Sequence, residues 1–327
     1  MDGAIPIWFE IASYVFVVAL LAVDFVVVHH RPHVPSMREA GLWVAFYSAL
    51  AVGFGLILMV FAGANSGGEF FAGWLTEYSL SIDNLFVFIV LMARFTVPKK
   101  LQQEVLMVGI VIALVLRGIF IAVGAALIAN FVWIFWIFGA FLLYTAFHQA
   151  FRSHDDEEET ENKLIAFLRK RITMSEHYDG LKIRTNWEGK RVYTPMLVVL
   201  LTIAATDVIF AFDSIPAIFG ITTNAFIVFT ANVFALMGLR QLYFLLGGLL
   251  ERLVYLKYGI AFILAFIGVK LMLHALHDNQ LPFINGGHHV EWVPDIPTWL
   301  SLLVIVASMA AATIASLLHK PRTSSAK

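Results

Sequence analysis

Apolar residues fall along this chain in long blocks, and most polar residues gather between them. Nine blocks hold about 20 or more mostly apolar residues: 8–29, 41–63, 74–93, 104–128, 131–150, 195–219, 224–250, 256–277 and 298–319. A helix of that length matches the hydrocarbon core of a bilayer, roughly 30 Å at 1.5 Å per residue. The pattern predicts an all-α polytopic membrane protein of about nine transmembrane helices. Several connections are very short, as at Asn130, which forces antiparallel neighbours. The first block begins at once, lacks a basic leader and exceeds a signal-peptide core, so it reads as a retained span.

Composition agrees. The chain has 327 residues, 60% of them hydrophobic and 14% charged, where a soluble domain is about one quarter charged. It has no cysteine, which removes disulfides, zinc thiolates and Cys nucleophiles. Charge distribution orients the spans. Of 22 Lys and Arg residues, 19 lie in alternate connections on one side, and Arg117, Arg240 and Lys270 lie within spans. Basic loops stay in the cytoplasm, so the N-terminus is expected outside and the C-terminus inside a cell (inner or plasma) membrane.

The connection 151–194 opens with "DDEEETE" and continues with "KLIAFLRKRI", where apolar residues interleave with bases. It is either a short amphipathic helix on the cytoplasmic leaflet or a solvated linker.

Polar residues inside the spans are the informative ones. The third span carries "EYSLSIDNLFVF" and the sixth "ATDVIFAFDSIPA". With Glu77 set over Asp207, Asp83 falls on Asp213 and Asn84 on Ser214. The next spans carry "LRGIF" at Arg117 and "LRQLYF" at Arg240, and the third members carry "IFGAFLLYTAF" and "FIGVKLMLHAL". Spans three to five and six to eight therefore read as a repeated three-helix unit. Three is odd, so the second copy enters the membrane from the opposite face, as in transporters with inverted repeats. The expected divisions are 1–73, two N-terminal spans; 74–150, first repeat; 151–194, linker; 195–277, second repeat; and 278–327, outer loop, last span and tail.

Five acids lie within spans, Asp24, Glu77, Asp83, Asp207 and Asp213, against three bases. A charge at the bilayer centre costs about 3 kcal/mol on insertion scales and so needs a partner. Arg117 and Arg240 can pair with part of the set, but bases are too few for all of it. The excess is expected to bind protons or a cation. Candidate ligands are Asp83, Asp213, Asn84, Ser214, Glu77 and Asp207, with Arg117, Arg240, Lys270, Asp24, Asn232 and Pro216 supporting or pairing. These are oxygen donors, which suit Mg²⁺, Ca²⁺ or Mn²⁺ better than Zn²⁺ or Cu⁺. Positions six apart point about 120° apart on a helix and positions seven apart nearly coincide. Either the helices unwind at the motif, or Asp83 and Asp213 form the centre with Glu77 and Asp207 beside it, the preferred arrangement. Pro216 lacks an N–H for the Phe212 carbonyl, so a helix break is expected there. Asp24 either joins the site or pairs with Lys270. His274, His277 and Asp278, followed by His288, His289 and Glu291, are either an exit-side metal trap or a wet loop, and His29 and His30 invite the same choice.

The paired motifs, with "VDFVVVHHR", "NVFALMGLRQLYFLL" and "LERLVYLKYG", resemble the TerC family of integral membrane proteins over essentially the whole chain. The resemblance implies manganese export or metal homeostasis, linked by the family name to tellurium resistance. It marks Glu77, Asp83, Asn84, Asp207, Asp213, Ser214, Pro216 and Arg240 as motif residues. One departure is Ala204, where many members have Glu. The expectation is a non-enzyme that exports a divalent cation, Mn²⁺ foremost, in contact with the lipid bilayer. No prosthetic group, nucleic acid or particular protein partner is expected. The alternatives are a non-transporting scaffold of a metal or tellurite stress response, or a transporter of another cation. An intramembrane aspartyl protease is disfavoured, because "FAFD" and "LSID" lack its Gly-x-Gly-Asp motif.

Overall fold

The computed structural model describes residues 5–30, 35–131, 133–151, 175, 177–187, 190–246, 255–279, 284–285, 290, 293–294 and 296–318. Among them are nine helical spans long and apolar enough to cross a membrane. They are α1 (Ile7–His30), α2 (Met37–Ala62), α3 (Ala64–Arg94), α4 (Lys99–Asn130), α5 (Ile134–Phe151), α6 (Pro195–Phe219), the broken pair α7 (Ala225–Leu236) and α8 (Leu239–Leu246), α9 (Leu256–His277) and α10 (Thr298–Leu318).

Two departures from the hydropathy pattern matter. α3 begins at Ala64 rather than near 74, because "ANSGGE" continues as helix despite its polarity. Gly63, at φ 93°, is the single residue that turns the chain from α2 into α3. Glu69 accepts from Asn65 one turn earlier, at 3.2 Å. The expected break at Pro216 is absent. α6 runs through it to Phe219, with the Phe212 carbonyl left without the amide donor that Pro216 lacks. The break falls instead in the seventh span at Met237–Gly238, where Gly238 takes the left-handed φ of 82°.

α3 and the α7–α8 span form the centre, and α1 and α10 lie at the rim. In the seventh span 89% of the residues are buried, against 17% in α1. α4 shows why the spans orient as they do. Val111, Val115, Ile119 and Val123 form an exposed apolar stripe at four-residue spacing, while Ala113, Arg117, Ile121 and Gly124 face inward. Lipid lies outside and the polar group inside, the reverse of a soluble helix.

The helices of the two expected repeats pack reciprocally. α3 packs on α7, α4 on α6, and α5 on α9. The α5–α9 contact is the most extensive in the molecule and turns on glycine. A Cβ on Gly139 would sit 3.0 Å from the Gly268 carbonyl, and one on Gly268 would sit 3.1 Å from the Gly139 carbonyl. Small residues let helices approach this closely in a membrane, where packing replaces the hydrophobic driving force. An aromatic cluster ties α2 to α3 and α7, with Phe54 centred 5.0 Å from Phe70 and 4.9 Å from Phe234.

The linker contributes a feature that periodicity did not predict. β1 (Arg184–Trp187) pairs antiparallel with β2 (Lys190–Tyr193), Arg184 opposite Tyr193. Tyr178 anchors this hairpin region to the end of α3 by donating to the Phe95 carbonyl at 2.6 Å. The amphipathic helix considered for 163–172 lies outside the described residues.

The N-terminal pair docks through charge. Arg240 Nη2, on α8, donates to Asp24 Oδ1 of α1 at 3.0 Å, and the Tyr47 hydroxyl of α2 donates to the same oxygen at 2.9 Å. Asp24 thus pairs with Arg240 rather than with Lys270, which donates to Ser301 of α10 at 3.2 Å.

Two stability predictions follow from these contacts. Gly268→Ala forces its new Cβ against the Gly139 carbonyl and should cost about 1–3 kcal/mol, read as a lower melting temperature of the purified protein in detergent. Asp24→Ala strands the Arg240 guanidinium in the membrane and should cost about 3 kcal/mol, whereas Asp24→Leu with Arg240→Met recovers most of that loss. Losses that simply add in that pair of variants would mean the two side chains are not coupled.

Candidate functional site

The chemistry concentrates where α3, α4 and α6 meet. Glu77 projects from the middle of α3, Asp207 from α6 and Arg117 from α4, and their exposures are 0%, 2% and 1%. The Arg117 guanidinium is in direct contact with the Glu77 carboxylate. Its Nη2 also donates to Asp207 Oδ1 at 3.3 Å. The two acids that the sequence aligns, one from each expected repeat, are therefore brought onto one guanidinium.

This cluster is not electrically closed, since two carboxylates share one fixed positive charge. Their outer oxygens, Glu77 Oε2 and Asp207 Oδ2, have no hydrogen-bond partner among the described residues. The Oγ1 of Thr76, the hydroxyls of Ser81 and Ser214 and both amide atoms of Asn232 are likewise buried without a partner. Each such omission costs about 1–3 kcal/mol, and native structures carry few of them. These atoms are spread over α3, α6 and α7, which together with α4 enclose the Arg117 cluster.

The other candidates distribute as helical geometry requires. Asn84 is buried on α3 and Ser214 on α6. Asp213, six residues beyond Asp207, is partly exposed while Asp207 is buried, so the two acids of α6 point apart. Asp83 lies on α3, and its side chain is not among those described. Pro216 is buried in the last turn of α6. Arg240, Asp24 and Lys270 stand apart from the Arg117 cluster in the contacts already given. Among the described residues, no three His, Asp or Glu side chains converge as a metal-binding group.

Toward the end of the bundle opposite the basic loops lies an open cavity of about 730 Å³. Glu69, Thr222, Asn224, Lys270, His274 and Asp278 are among its lining residues. His277 Nδ1 lies 2.8 Å from Asp278 Oδ1, and His274 Nε2 lies 3.7 Å from Asp278 Oδ2. Thr222 donates to Glu69 Oε2 at 2.6 Å, joining α3 to the turn between α6 and α7. Sequence reasoning missed Glu69, because it was assigned to a loop, and Tyr47, because a tyrosine in an apolar run carries no signal of its partner. His288, His289 and Glu291 lie outside the described residues, as do the side chains of His29 and His30.

Comparison with known proteins agrees with the architecture. An uncharacterised membrane protein of Mycobacterium tuberculosis is 47% identical over 308 residues, covering 93% of this chain and 77% of its own. One from Myxococcus xanthus is 38% identical over 309 residues, 94% and 92% of the two chains. A protein of Escherichia coli named a putative membrane-bound redox modulator, Alx, is 40% identical over 268 residues, 79% and 84% of the two chains. No solved structure matches the chain. The model of the integral membrane protein TerC family matches residues 62–324, from the end of α2 through α10, and the chain belongs to that family.

Proposed function

We propose that this protein exports a divalent metal cation, Mn²⁺ foremost, through a carboxylate site between two inverted three-helix repeats. The observation that carries the reading is the buried Arg117 cluster, in which each half supplies one acid to a polar interior short of positive charge. The pairing of α3 with α7, α4 with α6 and α5 with α9 supports the inverted relation, because a two-fold axis that exchanges α3 with α6 and α4 with α7 carries the α3–α7 contact onto α6–α4 and the α5–α9 contact onto itself. Gly139 and Gly268, equivalent in the two repeats, meet each other across that axis. Glu77 and Asp207 hold the ion. Because α3 and α6 run antiparallel, Asp83 with Asn84 and Asp213 with Ser214 stand about 9–10 Å to either side of it along the bundle, on the path the ion takes.

Donor chemistry supports the class of ion. Carboxylate, carboxamide and hydroxyl oxygens favour hard divalent cations, and the chain has no thiolate to favour softer ones. The cavity lined by Glu69, Asp278, Lys270 and His274 opens on the side opposite the basic loops. That is the outer side in the orientation set by Lys and Arg, and so the side by which an exported ion leaves. A relative's name invokes redox modulation. With no cysteine, this chain has no thiol–disulfide chemistry of its own to offer such a role.

The purified protein in liposomes, given Mn²⁺, Mg²⁺ and Ca²⁺ in turn, should move Mn²⁺ across the bilayer. Glu77→Gln and Asp207→Asn should each slow that flux more than tenfold while the protein still elutes as one folded species. Wild-type liposomes that pass no divalent ion would end the export reading. Two variants that transport like the wild type would instead displace the site from these residues.

A further inference from the structure

We infer that Arg117 is a tethered counter-cation that occupies the acid pair between the two halves when no metal is bound, and that a divalent ion must displace it. This rests on the export reading and says how that same site is kept when empty.

The molecule provides its own comparison. Arg240 is matched one to one with Asp24, and the Tyr47 hydroxyl completes the acid's coordination at the less buried rim of the bundle. That is an ion pair of structural proportions. Arg117 is placed differently. It holds two acids, from α3 and α6, at no more than 2% exposure, and leaves one oxygen of each without a partner. A residue selected only to neutralise buried charge would leave neither the excess charge nor the bare oxygens.

Charge balance identifies what replaces it. One guanidinium leaves the two acids with a formal surplus of one negative charge, a monovalent metal ion would leave the same surplus, and a divalent ion cancels it. The donors around it agree. Ser81 lies one turn beyond Glu77 on the same face of α3. Its hydroxyl is buried with no partner among the described residues, and so is the carboxamide of Asn232 on α7, which packs on α3. Two carboxylates with neutral oxygen donors make a hard-cation set. The planar fork of arginine can hold both acids at once, which the compact ammonium of lysine cannot. Arg117 therefore bridges the halves in the empty carrier and gives way in the loaded one.

Mn²⁺ binding to the purified full-length protein, read from the free-ion electron paramagnetic resonance signal, tests this with guanidinium chloride as a second probe. Arg117→Ala should bind Mn²⁺ at least tenfold more tightly than the wild type. Millimolar guanidinium should refill the vacated slot and weaken Mn²⁺ binding in Arg117→Ala but not in the wild type, a signature that a purely structural arginine would not give. Arg117→Lys keeps the charge and with it the fold, and its affinity should lie between the two. If the alanine variant cannot be isolated, the lysine variant decides alone. Affinity no tighter than the wild type's in the isolated variants, or no guanidinium competition in Arg117→Ala, overturns the inference. Failure of the wild type and of every isolated variant to bind Mn²⁺ is a different result, which removes the export reading itself.

Discussion

A guanidinium buried between two carboxylates in the middle of a bilayer is the constraint on which the rest of this structure depends. Each of the three side chains would be costly in lipid alone, so α3, α4 and α6 must meet and must stay enclosed. The outer surface follows from that requirement. α4 can carry Arg117 because its opposite face is the stripe Val111, Val115, Ile119 and Val123. α3 can carry Glu77 because α2, α6, α7 and α10 surround it. Helices with less to hide, α1 and α10, can stand at the rim.

The second buried arginine organises a different boundary. Arg240 reaches out of the second three-helix unit to Asp24 and Tyr47, and so fastens the N-terminal pair of helices to α8. It does so just past Met237–Gly238, where the seventh span is broken. The two arginines are aligned in sequence, yet one faces the centre and the other the periphery. The two proposed repeats are therefore alike in packing and unlike in electrostatics, and among the described residues the first places its arginine between acids of both.

Much of this was readable beforehand, for physical reasons. Lipid demands apolar blocks of one length, so the spans stood out, and charge is so costly inside them that Glu77, Asp207, Arg117 and Arg240 marked themselves. Side-chain direction was readable too, since six-residue spacing separates Asp207 from Asp213 on any helix. What stayed hidden depends on contacts between distant segments. By sequence Asp24 pairs with Lys270 or joins the ion site, and only the contact of α1 with α8 reveals Arg240 as its partner. The early start of α3 was masked because polar residues at a helix end look the same whether they line a cavity or leave for water. Proline drew attention to 216, but a backbone that turns on glycine at 238 gives no comparable sign in a chain of 22 glycines.

The contact of Gly139 with Gly268 has a mechanical meaning. Two backbones touch there with no side chain between them, and each glycine is the other's equivalent under the two-fold relation proposed above. A point that maps onto itself is the point that moves least when one half tilts against the other. A close contact of two glycines suits such a point, because any side chain placed there would have to pack against its own equivalent.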